Sequence, residues 1–241
     1  MIYFASDIHL GSGDRATQRD VEQRFVQWLD KIEPTAQVLF LVGDIFDFWF
    51  EYKRVVPKGF VRTLGRLAQM TDKGIRVVML TGNHDMWVSD YLTQECGIEL
   101  YTTPQIFSIS GKRIFVSHGD NTNIKKQPML KLLNSIFRSK TLRHIASWLI
   151  HPDLFMRFGQ WWSGSSRKAH KCELELKYLD PLIEYARSHK DENIDMFIFG
   201  HMHIPHTVSN PCITFLGNWA DGCSWAQLDD NGNITLKINE L

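Results

Sequence analysis

Excess charge of either sign is missing from this chain, and cysteine is scarce. Lys plus Arg and Asp plus Glu both total 27, so the formal net charge is zero. A neutral chain has no overall positive field that would attract nucleic acid, and we expect no nucleic-acid partner. The four cysteines form no C-x-x-C pair. That pattern disfavours a zinc knuckle or a disulfide framework and favours reduced thiols.

Long apolar runs are missing as well. No window approaches the roughly 20 apolar residues that span a bilayer, and the N-terminal apolar stretch meets Asp7 too early for a secretion signal. We therefore expect a cytoplasmic protein, and we leave open a peripheral contact with the inner face of the cytoplasmic membrane. The sequence also lacks a P-loop, a Gly-x-Ser-x-Gly motif and a cysteine-nucleophile motif.

Short apolar runs that alternate with segments of helical spacing are the main structural signal. Their β-branched and aromatic residues are typical of strands buried on both faces. The alternation predicts an α/β fold, with antiparallel hairpins in the C-terminal part around 213–238. The predicted strands cover residues 2–5, 38–42, 77–80, 114–116 and 196–199.

One stretch, from about residue 121 to residue 170, breaks this alternation. It is helical in pattern and rich in Lys, Arg and aromatic residues. We predict one domain over residues 1–241, with this stretch as a helical insertion that covers the face where the strands end. Two interpretations of its aromatic residues stay open: they bury the acyl chains of a lipid substrate, or they pack the insertion against the body.

Side chains that bind metals follow each of the five predicted strands directly. In open α/β sheets, ligands bind beyond the carboxyl ends of the strands, so these side chains are expected to converge. Carboxylate, imidazole and amide oxygen together suit Mn²⁺, Fe²⁺ or Zn²⁺. A single Asp-x-His would be weak evidence, but half of the ten histidines fall in these motifs, which indicates a metal site. The motifs are Asp7-x-His9, Gly43-Asp44-x-x-Asp47, Gly82-Asn83-His84-Asp85, His118-Gly119-Asp120 and Gly200-His201-x-His203.

In type and order, these motifs resemble those of the calcineurin-like metallophosphoesterase superfamily. The resemblance implies a four-layer α/β/β/α sandwich of two mixed sheets, here with the helical insertion as a cap. It implies two divalent metal ions, for which Mn²⁺ is the expected identity. One ion would be bound by Asp7, His9, Asp44 and His203, and the second by Asp44, Asn83, His118 and His201, with Asp44 bridging.

The same resemblance implies roles for the residues beside the metals. His84 would lie near the substrate phosphate as an electrophile or leaving-group acid, with Asp85 orienting it, and Asn83 would also contact substrate. Asp47 would support the site or the fold without binding a metal. A pair of cations can activate water and hold a phosphoryl group, so the implied reaction is hydrolysis of a phosphoester without a covalent intermediate.

Within the superfamily, the chain resembles most the UDP-2,3-diacylglucosamine pyrophosphohydrolases of lipid A biosynthesis. The likeness is carried by the length, the opening at residues 6–11, the segment at 41–49 and the insertion after His118. It implies a nucleotide-sugar lipid that is cleaved to UMP and 2,3-diacylglucosamine 1-phosphate. Residues 163–168 are predicted to form a loop that contacts phosphate. Its candidate contacts are Ser165, Ser166, Arg167 and Lys168.

One departure keeps other functions open. The best-known branch of those enzymes has Arg where this chain has His84, and histidine can donate a proton to a leaving group where arginine cannot. A generic cytosolic phosphodiesterase or nucleotide hydrolase is therefore the alternative. A metal-binding scaffold without activity is disfavoured, because no ligand of the motif set is missing.

Overall fold

The computed structural model describes residues 1–122, 139–170, 176–220 and 222–240. The helices are α1 (Arg15–Ile32), α2 (Val61–Asp72), α3 (Tyr91–Cys96), α4 (Lys140–Leu149), α5 (Pro152–His170) and α6 (Asp180–Ser188), with 3₁₀ turns at Leu176–Leu179 and Lys190–Glu192. The strands are β1 (Ile2–Ala5), β2 (Val38–Val42), β3 (Arg76–Leu80), β4 (Glu99–Tyr101), β5 (Gln105–Ile109), β6 (Lys112–Ser117), β7 (Met196–Phe199), β8 (His206–Val208), β9 (Ile213–Phe215), β10 (Ser224–Leu228) and β11 (Ile234–Ile238).

The strands form two mixed sheets. The first has the order β11-β10-β1-β2-β3-β4. Strands β1 to β4 are parallel to one another, and β10 is antiparallel to both of its neighbours, β1 and β11. The second has the order β5-β6-β7-β9-β8, with β6, β7 and β9 parallel. The predicted C-terminal hairpins occur as β8–β9 and β10–β11. In addition, β9 pairs in parallel with β7, a contact that the local sequence pattern did not indicate.

Three apolar cores separate four layers of structure. Tyr3 and Ala5 of β1 face the core that lies under α1, α2 and α3. Phe25 and Trp28 belong to this core. Phe4, which lies between Tyr3 and Ala5 in β1, faces the core between the two sheets. A third core lies between the second sheet and α6. Successive residues of a strand point to opposite faces, so strands that are apolar at every position become buried on both sides. The predicted α/β/β/α sandwich of two mixed sheets is confirmed.

An ion-pair cluster fastens α2 to the end of α1. Glu33 lies 2.6 Å from Arg66 Nη2 and 2.7 Å from Lys73 Nζ. Hydrogen bonds from Arg66 and then Lys73 lower the pKa of the Glu33 carboxyl from an ordinary 4.5 to about 2. Because its folded pKa is depressed, Glu33 stabilises the fold above its unfolded pKa, and this contribution is lost as the pH falls through the folded value.

We expect the Glu33→Gln variant to unfold at lower urea concentration than the wild type at pH 7. The difference should shrink as the pH falls from about 4.5 towards 2, because the wild-type carboxylate then loses its charge as well. Urea titrations of the metal-free proteins across this range measure it. The matched control is Glu95→Gln, an exposed carboxylate on α3, which should show no such pH dependence. A difference that grows on acidification would contradict the assignment.

Helices α4 and α5 belong to the predicted insertion and lie on the loops that follow β2 and β3. Tyr52 Oη donates to the carbonyl oxygen of Ile150 over 3.0 Å, and Arg143 Nη1 donates to that of Val88 over 3.3 Å. The rings of Phe50 and Phe155 have centroids 4.4 Å apart. Residues 123–138 of the insertion lie outside the described part, so its extent, 121–170, stays a prediction.

The predicted loop at 163–168 is wrong, because these residues form the last turns of α5. Ser and Gly are poor helix formers, and this run of them favoured a loop. However, α5 docks on the body through Phe155, which packs on Phe50, and through Gly159, which lies against Phe48. This docking overrides the local preference, as tertiary contacts often do. The side chains of Ser165, Ser166, Arg167 and Lys168 lie outside the described part of the structure, so their phosphate contacts stay a prediction.

Candidate metal centre

The candidate ligands sit on loops that follow parallel strands of both sheets. Those after β1, β2 and β3 come from the first sheet, and those after β6 and β7 come from the second. Because the strands are parallel within each set, the loops emerge at the same edge of the sandwich. The residues that these loops carry are Asp7, His9, Asp44, Asn83, His84, His118, His201 and His203.

The backbone of this site is held in an unfavourable conformation. Asp7, His9, Asp44, His201 and His203 have φ values of 53°, 50°, 53°, 67° and 56°. Each non-glycine residue in this left-handed region costs on the order of 1–3 kcal/mol and persists only where its surroundings enforce the conformation. Here the loops are tied together, since Asp7 N donates to Gly43 O and His9 N donates to Asp44 O. Backbone strain of this kind clusters at functional sites.

The side chains form three overlapping groups, each close enough to hold one ion. The groups are Asp7 with His9 and His203, His9 with Asp44 and His84, and Asp44 with His118 and His201. His203 Nε2 lies 3.1 Å from Asp7 Oδ1, and His118 Nε2 lies 3.3 Å from Asp44 Oδ2. Asn83 Oδ1 joins the last group, 3.3 Å from His118 Nε2. The structure thus brings together all seven predicted metal ligands.

The donor atoms of the site are better placed to bind cations than to hydrogen-bond with one another. The Nε2 atoms of His9 and His203 face one another at 3.3 Å. Within the described residues, the buried Asp7 Oδ1 and His9 Nδ1 have no hydrogen bond of good geometry. Burial lowers the pKa of His9 to about 3 and that of His201 to about 4, so both imidazoles are neutral at pH 7. Neutral imidazole is the form that binds metals.

The charge balance around Asp44 also favours positive charge at this place. Burial alone would raise the pKa of Asp44, but His118 and His84 hold it well below its usual range. Burial likewise opposes protonation of His118, yet the Asp44 carboxylate raises the pKa of that imidazole well above its ordinary value. His118 Nδ1 lies 2.9 Å from the carbonyl oxygen of Val42. This contact turns Nε2 towards Asp44 and the metal position, as expected for a metal-binding histidine.

Gly82 makes room for the Asp44 carboxylate. A Cβ built on Gly82 would overlap Asp44 Oδ1 and lie 2.7 Å from the Asp44 backbone nitrogen. Any side chain here must therefore displace the residue that belongs to two of the three groups.

We expect Gly82→Ala to lose most of its bound metal and to lower kcat by at least about 100-fold. A displacement of about 1 Å at a reacting centre is enough to slow a reaction that much. Metal content by mass spectrometry and kcat measure the effect. Gly65→Ala is the control, because a Cβ there meets nothing within 4 Å, and it should leave both values unchanged. A Gly82→Ala protein with two bound metals would contradict this account of the packing.

Asp85 has contacts other than the expected one with His84. Its carboxylate accepts from Ile45 N over 2.8 Å and from Gly82 N over 2.7 Å, so it ties the second motif loop to the third. Burial and the nearby Asp44 carboxylate raise the pKa of Asp85 to about 6. The structure places Asp85 as a support of the loop backbones.

Asp47 and Ser163 hold the His84 ring instead. His84 Nδ1 lies 2.9 Å from the carbonyl oxygen of Asp47 and 3.0 Å from Ser163 Oγ. His84 Nε2 faces the metal side, 3.9 Å from Asp44 Oδ2. This position of Ser163 could not be predicted from the sequence, because its partners lie 79 and 116 residues away.

Glu51 is a second supporting residue that the sequence did not reveal. It is 7% exposed, and its carboxylate accepts from Trp49 Nε1 and from the backbone nitrogens of Ser89 and Tyr91. It therefore fixes the chain that follows the third motif. An acidic residue four positions beyond an Asp-x-x-Asp pattern is a weak signal, and only the fold shows what Glu51 contacts.

Comparison with known proteins agrees with the geometry. The family model described as calcineurin-like phosphoesterase matches residues 1–205. The chain belongs to this family. A UDP-2,3-diacylglucosamine hydrolase of Porphyromonas gingivalis is 32% identical over all of this chain and 98% of that protein. Proteins of the same name from Histophilus somni and Pseudomonas aeruginosa are 25% and 26% identical over 95% and 96% of this chain, and 97% and 96% of theirs.

Family membership and the clustered ligands define the chemistry in general terms. The protein is a metal-dependent phosphoester hydrolase, as the motifs predicted. The described residues include no helix long and apolar enough to cross a membrane. The individual roles predicted for the site residues stay predictions.

Proposed function

We propose that this protein hydrolyses the pyrophosphate bond of UDP-2,3-diacylglucosamine, releasing UMP and 2,3-diacylglucosamine 1-phosphate. The observation that carries the proposal is the 32% identity to a UDP-2,3-diacylglucosamine hydrolase over the full length of both chains. The grouped ligands Asp7, His9, Asp44, His118 and His203 supply the donor types for a pair of Mn²⁺ ions.

The proposed reaction uses the site in a simple way. A pair of divalent cations, when bound, activates a water molecule and offsets the negative charge that develops on the phosphoryl oxygens. Asp44 lies in two of the ligand groups and would be shared by both ions. The amide of Asn83 and Nε2 of His84 would contact the phosphoryl or leaving oxygen, because both side chains follow β3 at the metal-facing edge.

Two cavities of contrasting character support an amphiphilic substrate. An apolar cavity of about 300 Å³ lies between α4, α5 and the body. A second cavity, of about 290 Å³, adjoins the first two motif loops and is rich in cationic side chains. Burying acyl carbons contributes about 0.8 kcal/mol per CH₂, and cations stabilise phosphate groups. The apolar cavity is lined by Phe50, Trp87, Leu142, Arg143, Ile145, Ala146, Leu149, Ile150, Phe155 and Phe158, and the cationic one includes Arg15, Arg19, Lys58 and Arg62.

The surface of the insertion supports a peripheral membrane contact. Trp148 is 85% exposed and Trp161 is 66% exposed, and they stand beside the exposed Leu149 and the half-exposed Trp162. Tryptophan is favoured at the interface of a bilayer with water. Such a contact would place the protein where a lipid-linked substrate resides. Cosedimentation with anionic vesicles tests it, and a protein that stays in the supernatant would refute it.

A second candidate, a phosphodiesterase or nucleotide hydrolase for water-soluble substrates, is favoured by His84. Its imidazole can donate a proton to a poor leaving group, which a sugar phosphate does not require. Turnover of UDP-2,3-diacylglucosamine, UDP-glucosamine and bis(p-nitrophenyl) phosphate by Mn²⁺-loaded protein separates the two functions. Asp44→Ala is the blank.

We expect kcat/KM for the diacylated substrate to exceed that for UDP-glucosamine by at least about 100-fold. A factor of 100 corresponds to about 2.7 kcal/mol, and the burial of as few as about three or four methylenes is enough to supply it. UMP release measured by chromatography gives the ratio. Faster turnover of the soluble diester than of the lipid would instead select the second candidate.

A further inference from the structure

Ser163 reaches from the insertion into the buried part of the catalytic loops. It lies on α5 and is 1% exposed. Its hydroxyl donates to Asp47 Oδ1 over 2.6 Å, and the same oxygen lies 3.0 Å from His84 Nδ1. Asp47 follows β2 and His84 follows β3. One hydroxyl on the insertion thus joins two loops of the body.

The hydrogen bonds around Ser163 define the orientation of the His84 ring. The carbonyl oxygen of Asp47 only accepts, and it lies 2.9 Å from His84 Nδ1, so Nδ1 carries a hydrogen. Ser163 Oγ donates its own hydrogen to Asp47 Oδ1, so towards that same Nδ1–H group, 3.0 Å away, it acts as an acceptor. The ring is held from one side, and Nε2 is directed towards Asp44.

The position of Ser163 depends on how α5 docks. Phe155, Gly159 and Ser163 are spaced by four residues and lie on one face of the helix. A Cβ on Gly159 would overlap the ring of Phe48, and Phe155 packs on Phe50. The helix therefore approaches the body closely along this face. Phe155 also lines the apolar cavity, so the face that positions Ser163 borders the place proposed for the acyl chains.

We propose that Ser163 is a positioning residue for His84, which fixes Nε2 of that imidazole for the phosphoryl group and couples it to the docking of the insertion. The proposal rests on the proposed function in one respect only, namely that the cavity beside the docking face of α5 holds the acyl chains of the substrate. The contact between Ser163, Asp47 and His84 is independent of the substrate. Its test can therefore use whichever phosphoester the protein turns over best.

A double-mutant cycle separates positioning from general stability. In the Mn²⁺-loaded protein, Ser163→Ala should lower kcat by about 10- to 100-fold and change KM less than twofold. In a His84→Ala background the same substitution should have no further effect, because the group through which Ser163 acts is gone. Ser147→Ala is the control, since its hydroxyl bonds within α4, to the carbonyl of His144. An equal loss of kcat in both backgrounds would overturn the proposal.

A second measurement does not depend on turnover. In metal-free protein, the ¹⁵N-labelled imidazole of His84 should give an Nδ1–H resonance protected from exchange with water. We expect Ser163→Ala to broaden it by exchange, and Ser163→Cys, which keeps the size of the side chain but has only a weak donor and acceptor, serves in the same way should the alanine variant fold poorly. A resonance that stays protected without the hydroxyl would show that Asp47 alone holds the ring, and would overturn the role of Ser163. Either result is independent of whether UDP-2,3-diacylglucosamine is the substrate.

Discussion

Asp44→Asn should lower hydrolysis by at least about 1,000-fold and reduce the bound metal below two ions per chain. The side chain keeps its size, but it loses the charge shared by the two ligand groups in which Asp44 takes part. Lewis-acid stabilisation by metal ions is worth several kcal/mol in phosphoryl transfer, and about 4 kcal/mol corresponds to a factor of 1,000. The loss should appear in kcat and in metal content together.

The structure also indicates why this substitution should leave the protein folded. Asp44 Oδ1 accepts from the His84 backbone nitrogen over 2.9 Å, and the amide oxygen of asparagine can accept the same bond. The variant loses the ion-pair contact of Asp44 with His118, but it no longer buries a carboxylate, which is costly in itself, so the two effects oppose each other. When both proteins are metal-free, circular dichroism and the thermal midpoint of the variant should therefore stay close to the wild-type values.

Removing the metals from the wild type provides the complementary measurement. Dialysis against a chelator should abolish hydrolysis, and adding Mn²⁺ should restore it in the wild type but not in Asp44→Asn. Asp72→Asn, an exposed residue at the end of α2, is the control and should behave as the wild type does. Hydrolysis that survives chelation would reject the dimetal mechanism.

The metal ligands were visible in the sequence because each of them follows a buried strand directly. A run such as 38–42 is apolar at every position, which identifies a strand inside a sandwich, and Asp44 follows at once. Parallel pairing then brings the loops to one edge without further information. What the sequence did not reveal is the left-handed backbone at Asp7 and His201, because only the fold imposes it on residues other than glycine.

Contacts made by the insertion could not be predicted in the same way. Ser163 lies in a Ser- and Gly-rich run whose local preference is for a loop, and its partners are far away in the chain. Asp85 shows the opposite difficulty. The family resemblance implied that Asp85 orients His84, its neighbour in the sequence, yet its oxygens accept from backbone nitrogens of two loops. Neighbourhood in a motif did not indicate contact in space.

Ala146→Phe should lower kcat/KM for UDP-2,3-diacylglucosamine by at least about 100-fold and leave a small soluble phosphodiester unaffected. Ala146 lies on α4 and lines the apolar cavity of about 300 Å³. A benzyl group in place of its methyl would occupy space proposed for acyl carbons. Excluding three or four methylenes accounts for the expected factor.

The matched control is Ser147→Phe, which adds similar bulk at the next position of α4, outside the residues that line the cavity. It should retain the wild-type preference for the lipid. Kinetics with both substrates then separate two roles of the insertion. If Ala146→Phe slowed the soluble diester as much as the lipid, the insertion would affect catalysis through the metal-binding loops for every substrate, and not through contact with acyl chains. If it slowed neither, the cavity would hold no acyl chain, and its aromatic residues would serve only to pack α4 and α5 against the body.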